Sequence, residues 1–170
     1  MSLQFWINAA LRSVIWLGAA AGLAYFKTDG TSVLAVRTDP LGWLGGAVVI
    51  VGLVLHFSST VTLARGERQG GGGVASAPVT DGPFRYVRNP IYLGGITLLL
   101  GVGLLYPPWR PVDLGLPLLL FIYFHVAVVR FEEPELQGRF GSTFKEYCDR
   151  VPRWFPGRIK KSNKAPEPTP

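Results

Sequence analysis

Three short stretches carry residue types whose spacing could do chemistry. In Gly82-Pro-Phe-Arg-Tyr-Val-Arg-Asn-Pro-Ile-Tyr-Leu-Gly94, Asn89 followed by Pro90 is a strong helix start. Asn can cap free backbone N–H groups, and Pro suits the first helical position. A helix start is partially positive, so with Arg88 beside it the stretch could hold an anion. A capped helix with an arginine on lipid phosphate would read the same way. In Phe131-Glu-Glu-Pro-Glu-Leu136, two carboxylates, Glu132 and Glu133, follow an apolar run. Acids are unfavourable at a helix C-terminus, and near a membrane they need cationic partners. Those partners are the protein's own arginines or a cationic ligand; a solvated acidic corner is the plainer reading. Adjacent helical residues point about 100° apart, so the two carboxylates should not share one target. In Phe140 to Pro156, Thr143-Phe-Lys-Glu146 has the capping-box pattern, and Phe144, Tyr147, Cys148 and Val151 recur at helical spacing. A short amphipathic helix is expected there, lying on a membrane surface, with Arg150 and Arg153 flanking its end. Cys148, the single cysteine, should pack on its apolar face and excludes a disulfide-stapled domain.

Other motifs are sparse. His56 and His125 lie on separate apolar runs with no third ligand, so they read as helix–helix hydrogen-bonding groups and no metal site is expected. No Ser/His/Asp set, CxxC pair or HExxH occurs. The Gly70–Gly73 run lacks the lysine and following helix of a phosphate loop.

The elements that must position these residues are apolar. Of 170 residues, 48% are hydrophobic and 16% charged, with a net charge of +6. Residues 1–130 hold fourteen charges; the last forty hold fourteen more. Four runs approach the roughly 20 residues that cross a bilayer: Leu3–Phe26, Leu41–Ala64, Asn89–Trp109 and Leu114–Val129, which Pro111 and Val112 can extend past Asp113. The fold expected is an all-α integral membrane protein with about four transmembrane helices and a C-terminal cytosolic or interfacial helical segment. Its parts are residues 1–64, the first two spans; 65–80, a flexible loop; 81–156, the core with the chemistry; and 157–170, a disordered tail. The first run lacks a basic n-region and reads as a retained helix, not a signal peptide. Its Gly18-Ala-Ala-Ala-Gly22 has small-xxx-small spacing. Thr80-Asp-Gly-Pro83 reads as a turn. Thirteen of the 17 basic residues fall in loop 65–88 or from Arg130 onward, while Lys27, Arg37 and Arg110 fall in the other two loops. The positive-inside rule then puts both termini in the cytoplasm. Trp6, Trp43, Tyr106 and Trp109 suit interfacial anchors. The basic balance fits a lipid bilayer and needs no nucleic acid.

The order of these motifs, ending in Glu-Glu-x-x-Leu-x-x-x-Phe-Gly, a Tyr and Arg-Val-Pro-x-x-x-Pro, resembles the isoprenylcysteine carboxyl methyltransferase family. Related phospholipid N-methyltransferases look similar. The match covers Asp81 to Pro156. The resemblance implies a multi-pass membrane enzyme, of the kind found in a bacterial inner membrane, that uses S-adenosylmethionine as cofactor. It implies transfer of a methyl group to a lipophilic acceptor, either a carboxylate or an amine. Arg88, Pro90, Tyr92 and Gly94 match the first motif, which usually has His where Asn89 stands. That change removes a titratable group but keeps a polar cofactor contact. With Tyr86, Glu132, Glu133 and Tyr147 these residues form the implied cofactor set. Glu133 and Arg150 are the implied catalytic residues, and Arg150 and Arg153 the acceptor-positioning cations. An NADPH-dependent membrane reductase of similar architecture and a non-enzymatic bundle are the alternatives. Oligomeric state stays open.

Overall fold

The computed structural model describes residues 3–28, 36–69, 75–107 and 111–157. Among them every regular element is helical. They are α1 (Leu3–Lys27), α2 (Pro40–Gln69), a 3-10 turn (Gly82–Arg85), α3 (Pro90–Leu105), α4 (Val112–Ala127), a π turn (Val128–Glu132), α5 (Glu133–Phe140) and α6 (Ser142–Arg150). The α4, π and α5 segments run on as one helix, whose apolar stretch ends at Val129.

Two helical segments, Pro40–Glu67 and Val112–Phe140, are long and apolar enough to cross a membrane. Ser13–Lys27 and Pro90–Leu105 are shorter apolar helices. At 1.5 Å per residue, the 16 residues of α3 reach about 24 Å, short of a bilayer core of roughly 30 Å. Outward faces of α2 and α4 expose Ile50, Val54, Leu118, Leu119 and Ile122.

Helix α3 is the axis on which the others pack. Leu99 is wholly buried, and Ile96, Leu98 and Val102 join Trp16, Ala20 and Leu23 of α1 in one core. The α2–α3 pair is antiparallel and meets along a glycine seam. A Cβ added to Gly52 would lie 2.5 Å from the Leu98 backbone nitrogen, and one on Gly94 would lie 2.6 Å from that of His56. Gly45 and Gly101 are equally tight. The two pairs are spaced seven apart, so each returns to the same helix face every two turns. Close backbone approach of this kind is what small residues permit between apolar helices.

Several expectations change. Gly18 and Gly22 have no atom within 4 Å of an added Cβ, so their spacing makes no close helix approach among the described residues. Lys27, assigned to a loop by its charge, is buried at the end of α1. Its Nζ donates to Asp113 Oδ2 at 2.5 Å and to the Gly103 carbonyl at 3.0 Å, tying α1 to α3 and α4. Helix α2 runs to Gln69, about one and a half turns past the buried Ala64 where its apolar run ends. Helix α6 forms, but Gly141 (φ +54°) precedes it and no side chain caps it, so the Thr143–Glu146 box is not made. Its apolar face, with Phe144, Tyr147 and Val151, turns inward on Leu136 and Phe140 instead of onto a membrane. The turn at Gly82 forms as expected, at φ +53°, where glycine is favoured. The glycine run 70–73, Trp109 with Arg110, the tail beyond Gly157 and the side chains of Trp6, Arg12 and Arg68 lie outside the described residues.

Candidate functional site

One end of the helix bundle holds a cleft of about 700 Å³ of empty space, part of it open to solvent. Its walls come from the end of α2 (Leu63, Glu67), residues 75–79, Phe84, Arg88 with Asn89, the π turn with α5, and Phe144 and Tyr147 of α6. The segment that reads as linker in the sequence thus forms a wall. It is held there by Arg139, whose Nη2 donates to the Ala75 carbonyl at 2.9 Å.

The π turn positions the carboxylates. Its i→i+5 bonding widens the helix by one residue per turn, a local device frequent at functional sites. Glu132 and Glu133 both line the cleft yet take different partners. Glu132 Oε1 accepts from the Tyr92 hydroxyl at 2.5 Å. Tyr92 is held in turn by stacking on Phe124, with centroids 4.3 Å apart. Glu133 Oε1 accepts from Arg88 Nη1 and from Arg153 Nε, both at 2.8 Å, and Oε2 accepts from Arg153 Nη2 at 2.7 Å. Burial pushes the Glu133 carboxyl up, but the Arg153 bonds and the Arg88 charge outweigh it and hold the group below the ordinary range. The same bond raises Arg153.

Arg88 is mostly buried, and its second contact is Cys148 Sγ at 2.8 Å. Its Nε, also buried, has no hydrogen-bond partner. Burial raises the Cys148 thiol, with Arg88 acting the other way. So the single cysteine does more than pack. Tyr147 is buried, its phenol pushed upward by burial, and its hydroxyl donates to the Phe84 carbonyl at 2.8 Å.

Asn89 does not cap α3. Its Nδ2 donates to the Arg153 carbonyl at 3.1 Å, and the Arg88 N–H donates to the Pro152 carbonyl at 2.9 Å. These bonds draw the chain after α6 across the start of α3. Trp154 completes the closure: Nε1 donates to His125 Nδ1 at 3.0 Å. His56 bridges three helices, meeting Ser13 Oγ at 3.1 Å and the Ile91 carbonyl at 3.3 Å.

The structure therefore brings Arg88, Asn89, Tyr92, Glu132, Glu133, Tyr147 and Arg153 together. Pro90 is buried at the first turn of α3, and Gly94 faces α2 in the seam, outside the cleft lining. Tyr86 is 55% exposed and does not line the cleft. Arg150 is exposed too, donating to the Glu146 carbonyl one turn back, because its neighbours Tyr147 and Val151 take the inward positions. Sequence reasoning missed Cys148 as a polar partner and Glu67, Arg139 and residues 75–79 as walls. No local pattern marks them.

A family model described as phospholipid methyltransferase matches residues 41–143, which run from the start of α2 to the start of α6. The chain belongs to the phospholipid methyltransferase family. The family's methyltransferase character and the apolar helices make this a membrane methyltransferase fold. Arg88, Asn89, Tyr92, Glu132 and Glu133 lie within the matched residues; Tyr147, Arg150 and Arg153 lie after them. The nickel-cobalt-cadmium resistance protein NccN of Alcaligenes xylosoxydans xylosoxydans is 28% identical over 115 residues, 67% of this chain. The chain spans about half the length, 52%, of that curated relative. No solved structure matches the chain.

Proposed function

We propose that this chain is an S-adenosylmethionine-dependent methyltransferase that crosses the membrane four times, with both termini and the cleft on the cytoplasmic face. The observation that carries the reading is the Arg88 guanidinium at the start of α3. It is mostly buried, one donor is unpartnered, and the cleft it lines opens opposite two carboxylates. A buried donor without a partner is costly unless a ligand takes it. The cofactor's carboxylate fits Arg88 and the first-turn N–H groups of α3. Its ammonium fits the carboxylate side of the cleft, where Glu133 also balances Arg88. Its adenosyl group fits the wall made by Phe84, Phe144 and Tyr147. When bound, it supplies a methyl group activated on a sulfonium.

The acceptor is a lipid headgroup reaching the cleft at the membrane edge, and its charge preference follows from the residues. Arg88 and Arg153 are both committed to Glu133, while Glu132 forms no ion pair among the described residues. This favours a cationic amine over a carboxylate. The chain's role is mostly to align donor and acceptor in a site that excludes water. Saturation binding to detergent-purified protein tests the reading: S-adenosylmethionine should bind, and Arg88→Gln should weaken it by about 10-fold or more, the worth of a charged hydrogen bond. Binding of NADPH without S-adenosylmethionine would overturn it.

A further inference from the structure

The weakest wall of the cleft is residues 75–79. Ala75, Ala77, Pro78 and Val79 line the cleft, yet Ser76 and Ala77 are exposed, so one thickness of chain separates the cleft from solvent. The helical walls are fixed by core packing and by the bonds around Glu133. Residues 75–79 have no such support. Among the described residues they make one hydrogen bond, from the exposed Arg139 Nη2 to the Ala75 carbonyl at 2.9 Å. Their other end is seated on α2. A Cβ on Gly66 would overlap Val79 Cγ2, and one on Gly82 would lie 2.8 Å from Thr62 Oγ1. Thr62 and Gly66 are four residues apart, on one face of α2, so the chain from Val79 to Gly82 rests there. Pro78 fixes its own φ and biases Ala77 to an extended form, which stiffens the segment between its two ends. A stiff segment seated at one end and held by one exposed bond at the other opens readily. It opens toward water: Arg139 stands ten residues beyond Val129, where the apolar stretch ends, about 15 Å along the helix.

We infer that residues 75–79 form a gate through which the cofactor enters and leaves the cleft from the aqueous side, and that Arg139 is its latch. This rests on the S-adenosylmethionine reading above. A cofactor with a carboxylate, an ammonium and a sulfonium arrives through water, not across the apolar faces of α2 and α4. Helices α2, α5 and α6 cannot part to admit it without breaking core contacts. Lifting Ala75 off Arg139 breaks one bond and exposes little apolar surface, because the moving residues that line the cleft are two alanines and a proline while Val79 stays on α2. The same bond re-forms over the bound cofactor and closes the site to water. A latch acts alike on entry and exit. Weakening it raises both rates by one factor and leaves their ratio, the affinity, nearly as it was. Loss of a contact that merely touches the cofactor raises the off-rate alone.

The test measures on- and off-rates of labelled S-adenosylmethionine on the full detergent-purified chain, the off-rate by chase with unlabelled cofactor. Arg139→Met keeps the apolar stem and removes the donors. Both rates should rise about 5–10-fold, the worth of one hydrogen bond, with Kd within about twofold of the unaltered protein. Arg139→Lys, which keeps a donor, should restore part of the slow exchange. Gly66→Ala unseats the other end, because Val79 is β-branched and stiff, so both rates should rise there as well. Hydrogen exchange in cofactor-free protein is the second readout. The amides of Ser76, Ala77 and Val79 should exchange faster in Arg139→Met, while those of α3 keep their protection and show that the variant is folded. A rise in the off-rate alone, with weaker binding, would make the segment a static wall and overturn the inference. Unchanged rates in Arg139→Met, whether or not exchange at 75–79 quickens, would overturn it too. Either result leaves the methyltransferase reading intact. No S-adenosylmethionine binding by the unaltered protein would overturn both.

Discussion

The Lys27–Asp113 pair allows a stability prediction whose size follows from burial alone. Both side chains have zero solvent exposure, and Lys27 Nζ also donates to the Gly103 carbonyl. Asp113→Asn would leave the ammonium in an apolar interior with that carbonyl and no counter-charge. Removing one partner of a buried pair costs about 3–5 kcal/mol, and with no exposure there is no solvent screening to discount it. For a chain of this size, 1 kcal/mol moves Tm by about 2–4 °C, so a fall of roughly 6–20 °C is expected. Lys27→Met should cost a similar amount. The double variant Lys27→Met with Asp113→Leu removes both charges and their desolvation together. It should therefore recover most of the loss. The assay is thermal unfolding of the four detergent-purified proteins, followed by tryptophan fluorescence and treated as a double-mutant cycle. A cost below about 1 kcal/mol for Asp113→Asn, or a double variant no better than the worse single, would refute the argument.

Three further outcomes follow. Gly94→Ala places a Cβ 2.6 Å from the His56 nitrogen and 2.9 Å from its Cα, backbone that cannot give, so it should destabilise by about 2–3 kcal/mol. Gly138→Ala, with nothing within 4 Å, should stabilise α5 by about 0.5–1 kcal/mol, and chemical denaturation compares the two. Glu133 has a folded-state value lowered from 4.5, so its contribution is whole above 4.5 and is lost as pH falls through the lowered value. Unfolding curves taken on acidification should show that loss in the unaltered protein and not in Glu133→Gln.

The sequence by itself was enough for whatever depends on neighbours in the chain. Apolar run lengths and helical spacing placed α2, α3, α4 and α6, and composition separated an apolar body from a charged end. Asn89-Pro90 marked a helix start, and the adjacent glutamates were read as needing cations and as taking separate targets. Those readings rest on local backbone preference and burial tendency, which a single strand of sequence carries. The family resemblance also came from motif order along the chain.

Other features were decided by tertiary structure. Asn89 caps nothing because the Arg153 carbonyl, 64 residues away, takes its amide. Lys27 is interior because Asp113, 86 residues away, meets it there. Glu133 is shared by Arg88 and Arg153, and Glu132 is left to Tyr92, because the π turn and the glycine seam of α2 and α3 set where helix faces meet. The physical reason is that a charge or a carboxylate states a need for a partner locally, but which partner answers depends on helix separation and rotation. Those are fixed by packing between segments far apart in the chain.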